Sequence, residues 1–128
     1  MPKRALSLEP SPSSEAPALL TVTDGAQFCE LTSGGSCVTD GTGNYGNYEL
    51  CTVRAEAMVS VSATAFDTES DCDYVTIGGT RYSGTSGPSN MVMAAGETLH
   101  WHSDSSYTRG GWTICATQAM SLPTASPP

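Results

Sequence analysis

The chain has 128 residues, enough for one domain around one hydrophobic core. Charged residues make up only 14% while Gly, Ser and Thr are abundant, a composition that favours strands and turns over helices. The formal net charge of −8, from 13 acids against 5 bases, argues against nucleic acid and anionic membrane surfaces as partners.

Residues 1–17 are rich in Pro and Ser and offer little to bury, so they read as a linker or extended arm. Lys3 and Arg4 cancel Glu9 and Glu15 there, which leaves the whole acidic excess on the body. The apolar run Ala18 to Leu20 is too short for a signal-peptide core, so a secreted form is expected to have its leader upstream or removed. Residues 18–120 form the predicted domain. Strands are expected at Leu19–Thr23, Cys51–Ala55, Met58–Phe66, Tyr74–Ile77, Arg81–Ser83, Met91–Met93, Leu99–His102 and Trp112–Cys115. Val59, Val61, Ala63 and Ala65 fall on one face, and Phe66 is out of phase, as at a strand end or bulge. Leu99 and Trp101 are expected to point inward. Asp24-Gly25, Gly78-Gly79, Gly84, Gly87-Pro88, Gly96 and Gly110-Gly111 punctuate these strands as turns. Short strands at this spacing predict an all-β protein, an antiparallel β-sandwich. Residues 121–128 form a second Pro/Ser/Thr-rich tail whose composition suits O-glycosylation; no Asn-x-Ser/Thr sequon occurs.

Five cysteines in a small, Gly-rich chain point to an oxidising, extracellular compartment. Their odd number leaves one thiol free or paired with another chain. Five choices of the odd residue, each with three pairings of the rest, leave the connectivity open. No apolar stretch is long enough to span a bilayer.

The densest chemistry lies in Phe66-Asp67-Thr68-Glu69-Ser70-Asp71-Cys72-Asp73-Tyr74-Val75 and in Ser103-Asp104. If folding joins these two turns, Glu69, Asp73 and Asp104 make an oxygen-rich pocket without a nearby cation. Such a pocket asks for calcium or for a partner's Lys or Arg. The order of landmarks is Tyr45…Tyr48-Glu49-Leu50-Cys51, Phe66-x-x-Glu69, Cys72-Asp73-Tyr74-Val75, Trp101-x-Ser103-Asp104 and Gly111-Trp112-x-Ile114. Over about residues 29–118 this order resembles a CUB domain, an extracellular module with a jelly-roll β-sandwich fold. The resemblance implies calcium bound by the side chains of Glu69, Asp73 and Asp104, with a backbone carbonyl at Ser105 or Ser106. Tyr45 or Tyr48 would hydrogen-bond a ligand carboxylate from behind. It also implies recognition of a partner's basic side chain beside Glu69 and Asp104, and a disulfide between Cys37 and Cys51. The Cys-Gly that would partner Cys72 is missing from this chain. Cys29 opens an early strand and Cys115 sits in the last one; terminal strands often lie side by side, which makes Cys29–Cys115 the second expected pair and Cys72 the free or intermolecular thiol.

His100-x-His102-x-Asp104 is a second metal candidate, for zinc or copper, since alternate strand residues share a face. Two surface histidines opposite Leu99 and Trp101 are the simpler reading. Asp67 and Asp71 have no place in the motif and are expected to be solvated. No Gly-x-Ser-x-Gly elbow, phosphate loop or His-Glu-x-x-His occurs, so catalysis is poorly supported by the sequence. The expectation is a non-catalytic, secreted, calcium-binding module for adhesion, recognition or assembly through protein or glycan contacts. The alternatives are a protomer of an extracellular filament or coat, assembling with copies of itself through its arms and strand edges, and a His-dependent metalloenzyme.

Overall fold

Ten strands follow one another in the computed structural model, which describes residues 18–119; the expectations for the two tails lie outside those residues. The strands are β1 (Leu20–Asp24), β2 (Glu30–Thr32), β3 (Cys37–Thr39), β4 (Leu50–Ala55), β5 (Val59–Asp67), β6 (Tyr74–Ile77), β7 (Thr80–Tyr82), β8 (Met91–Met93), β9 (Thr98–His102) and β10 (Gly111–Gln118). They form two five-stranded sheets, ordered β1-β4-β9-β6-β7 and β2-β3-β10-β5-β8. Every pairing is antiparallel. The described residues contain no α-helix, only a 3-10 turn at Ser33–Gly35. The fold is the antiparallel β-sandwich that the strand spacing predicts.

Alternation in the sequence becomes burial in the structure. Cys51, Val53 and Ala55 of β4, Val75 and Ile77 of β6, and Leu99 and Trp101 of β9 are all buried, while their odd-phase neighbours face out. From the second sheet come Val38, Val59, Val61, Met93, Trp112, Ile114 and Ala116. Trp101 and Trp112 meet edge to face across the core, with ring centroids 5.7 Å apart, and Tyr45 packs its ring against Trp101 at 4.9 Å. Truncating either tryptophan to alanine is expected to cost about 3–5 kcal/mol.

Three features depart from the sequence reading. The early strand expected at Cys29 is β2, but β3 was not anticipated: the two are three residues each, joined by Ser-Gly-Gly-Ser, and β3 pairs with both β2 and β10. The bulge in β5 lies earlier than Phe66. Ile114 of β10 faces Ala63 and Thr113 faces Ala65, so Thr64 is the extra residue. The slip turns Ala65 to solvent and lets Phe66 pack on the core opposite Trp112.

The disulfides also pair differently. They are Cys29–Cys51 and Cys37–Cys115, instead of Cys37–Cys51 and Cys29–Cys115, and Cys72 is the free thiol. The reason is strand order. β10 lies beside β3, which sets Cys115 in register with Cys37, Cα atoms 4.0 Å apart. Cys29 precedes the edge strand β2 and faces inward, reaching Cys51 on β4 of the opposite sheet. One bridge thus staples neighbouring strands and the other staples the two sheets. On chain-entropy grounds the longer loop contributes about 4–5 kcal/mol and the shorter about 3.

Candidate functional site

The ends of β5, β6, β9, β4, β3 and β10 meet at one end of the sandwich, because Asp67 is in register with Gly111, Tyr74 with His102, and His102 with Leu50. The loops that leave this end hold the two acidic turns. In the first, the N–H groups of Cys72 and Asp73 both donate to the Glu69 carbonyl, at 3.2 and 3.0 Å. The Thr68 hydroxyl donates to the Asp73 carbonyl at 2.8 Å and accepts the Gly84 N–H at 3.0 Å. Asp71 tops the loop with φ of 66° and donates its N–H to Ser83 Oγ. In the second turn, the Ser103 N–H donates to the Glu49 carbonyl, and Ser103 Oγ accepts the Glu49 N–H while donating to the Gly46 carbonyl.

Asp73 joins the two turns. It is fully buried; Oδ1 accepts the Asp104 N–H at 2.8 Å and Oδ2 accepts the Tyr45 hydroxyl at 2.6 Å. The same Tyr45 oxygen accepts the Glu69 N–H at 3.0 Å. A relay of hydrogen bonds therefore runs from the Glu69 backbone through Tyr45 to the Asp73 carboxylate and on to the Asp104 backbone. Glu69, Asp73 and Asp104 are thus brought to one mouth, but in two roles. Asp73 sits behind, committed to holding the loops. Glu69 and Asp104 stand in front with Cys72, and one ligand atom of each lies within 4.8 Å of the other two.

Electrostatics show what the mouth lacks. Glu69 Oε1 is buried and has no hydrogen-bond partner among the described residues. Desolvation pushes the Glu69 carboxyl above the usual range, and the charges of Asp104 and Asp73 add to that push. The Cys72 thiol is pushed up too, by desolvation and then by Glu69 and Asp104, so its thiolate is disfavoured. Burial, the hydrogen bond to Asp73 and nearby negative charge hold the Tyr45 phenol well above its ordinary value. Arg109 corrects the expectation of a pocket without a cation. Its guanidinium is 3.8 Å from Asp67, and its charge partly offsets the rise at Glu69. Asp67 is accordingly paired, while Asp71 is exposed.

Of the two tyrosines, Tyr45 stands behind a carboxylate as the sequence reading expects. Tyr48 is different: its ring is 71% exposed, and its contribution is a backbone N–H, donated to the Asp104 carbonyl at 2.9 Å. Ser105 is exposed beside Asp104, and the Ser106 N–H donates to Asp104 Oδ1. The His100-His102-Asp104 grouping is not formed. His100 is tied to Thr52 and Thr98, His102 stacks on Tyr74, and Asp104 turns to the acidic mouth.

Two further acids support the site from beneath. Glu49 is buried and accepts the Trp101 indole N–H at 3.1 Å and the Gly46 N–H at 2.7 Å. Its signal was present in the sequence, since Glu49 is in phase with inward-facing Cys51, Val53 and Ala55. Asp40 Oδ1 accepts the backbone N–H of Trp112 at 2.7 Å, and its Oδ2 is buried without a partner among the described residues. Desolvation raises its pKa to about 6. Gly111, at φ of 96°, lets the strand pass this carboxyl where a Cβ would collide with it.

No family of known proteins matches the chain, and no curated protein or solved structure is detectably similar to it.

Proposed function

We propose that this chain is a non-catalytic, extracellular, CUB-like recognition module whose acidic mouth binds calcium. The observation that carries the reading is the buried, unpartnered Glu69 Oε1 facing Asp104 across loops that Asp73 pins together. An anionic oxygen taken out of water without a donor is costly, and a hard divalent cation is the partner that removes the cost. Glu69 and Asp104 would be the carboxylate ligands, with loop carbonyls and water completing the shell. Asp73 would act mainly through the loops it fixes. The mouth is electrostatically negative, which also suits it to a partner's Lys or Arg.

Two disulfides fit an oxidising compartment, and no helix among the described residues is long and apolar enough to cross a membrane. Calcium in such a compartment is abundant, and a site of this kind is expected to bind it with a Kd of about 10⁻⁴–10⁻³ M. Ion at ten times Kd would stabilise the fold by about 1.4 kcal/mol. Unfolding followed in calcium and in EGTA tests the reading. A rise in midpoint with calcium that vanishes in Glu69→Gln and Asp104→Asn is the expected result; identical midpoints in saturating calcium and in EGTA would refute it.

A further inference from the structure

The acidic mouth contains a donor that calcium does not use. Cys72 is the free thiol, and its Sγ, a carboxylate oxygen of Glu69 and a carboxylate oxygen of Asp104 all lie within 4.8 Å of one another. Among the described residues no other group of three His, Cys, Asp or Glu side chains converges in this way. The loops build the grouping. The Cys72 N–H donates to the Glu69 carbonyl at 3.2 Å, so the turn itself brings residues 69 and 72 together. The Asp104 N–H donates at 2.8 Å to Oδ1 of Asp73, the residue after Cys72, which fixes the second turn against the first. Asp104 Oδ1 also accepts the Ser106 N–H at 3.2 Å, within its own turn. The Glu69 carboxylate brings Oε1, buried with no partner among the described residues. All three side chains are half-buried, shielded in part and still open to an ion from solvent.

We propose that the mouth also binds a thiophilic divalent cation of the zinc class, through Cys72 Sγ and the carboxylates of Glu69 and Asp104. The inference rests on the cation-binding reading of the same mouth and adds the ligand that calcium leaves idle. Donor chemistry carries the choice. Calcium takes hard oxygen ligands, whereas sulfur is a good ligand for zinc and a poor one for calcium. Zinc needs four ligands, and three protein donors with water in the fourth place make a complete site. Bonds of about 2.3 Å to sulfur and about 2.0–2.2 Å to oxygen set tetrahedral donors about 3.5 Å apart, so side-chain movements of about 1 Å close the site. Cys72 binds as the thiolate, its proton passing to solvent, and the cation gives the two carboxylates a shared partner. The other four cysteines of the described residues are committed to disulfides. The histidines that a zinc site would otherwise recruit are held elsewhere: His100 against Thr52 and Thr98, and His102 on Tyr74.

Calorimetric titration of the full, disulfide-bonded chain with Zn²⁺, and absorption spectra with Co²⁺ as the coloured substitute, test the proposal. A single zinc per chain is expected, and cobalt should give a near-ultraviolet sulfur-to-metal charge-transfer band. That band is read in the unsubstituted chain and does not depend on any variant folding. Cys72→Ser should abolish the band and weaken zinc by about tenfold or more, and Glu69→Gln should weaken zinc by a similar factor. Cobalt bound without the sulfur band, zinc affinity unchanged in Cys72→Ser, or zinc lost in His100→Ala/His102→Ala and kept in Cys72→Ser would each overturn the proposal; the last would move the metal to β9. The calcium reading fails separately. Identical unfolding midpoints in calcium and in EGTA, together with a sulfur band that needs Cys72, would refute calcium and uphold zinc. A calcium-dependent midpoint with no sulfur band would do the reverse.

Discussion

One strand, β9, feeds two regions: its outward residues His100 and His102 belong to the outer face of the first sheet, and the turn that follows delivers Asp104 to the acidic mouth. On the sheet face the two histidines and Arg81 each lie against neighbouring side chains: Thr52 and Thr98 for His100, Tyr74 for His102 and Arg81. In the mouth the satisfied acid, Asp73, is held by a tyrosine and a loop amide, and the acid in front of it, Glu69, keeps a buried oxygen with no described partner. Sheet faces hold charge on a rigid, pre-paired surface. Loop ends supply free backbone donors that can bury one carboxylate and leave another needing an ion.

That contrast predicts unequal costs. Asp73→Ala is expected to be the most damaging of these changes, because it orphans the Tyr45 hydroxyl and the Asp104 N–H in a buried place. We expect a loss of about 3–5 kcal/mol in urea unfolding and the loss of any calcium response. Arg81→Ala on the outer face should stay within about 0.5 kcal/mol of the parent, and a cost near that of Asp73→Ala would erase the distinction. Asp40 gives an intermediate effect with a pH signature. Its carboxyl is raised from 3.8 to about 6 in the fold, so its contribution to stability is fully present below pH 4 and is lost as pH rises towards 6. Asp40→Asn should remove this dependence and stabilise the protein at pH 8 by about 1–2 kcal/mol after allowance for solvent screening. A pH profile unchanged by the substitution would contradict that assignment. Arg109→Ala should be the mildest at the mouth: a few tenths of a kcal/mol in stability, with calcium bound slightly more tightly once the competing cation is gone.

Much of the fold was legible because a half-buried strand writes its inward face at every second residue. Cys51–Ala55, Tyr74–Ile77 and Leu99–His102 follow that rule, and Glu49 extends it by one position that a stricter reading of phase would have marked as a buried acid. What stayed hidden depended on pairing. The strand β3, three residues long, is too short to announce itself. The extra residue at Thr64 is defined only by its partners on β10. The cystine connectivity follows from β10 lying beside β3, and alternation does not encode strand order. Within the mouth, the residue types at Glu69, Asp73 and Asp104 were readable, but their division of labour was not. It arises from Tyr45 and two backbone amides, and Arg109 enters from the far end of the loop that carries Asp104.

The central claim is that the mouth, and not the sheet face, takes the metal. An amide-resolved NMR titration with calcium tests it most directly. The account predicts saturable shifts confined to the loops around Glu69, Cys72, Asp73 and Asp104–Ser106, with His100 and His102 unmoved. Shifts centred on the histidines, or none anywhere at millimolar calcium, would contradict it.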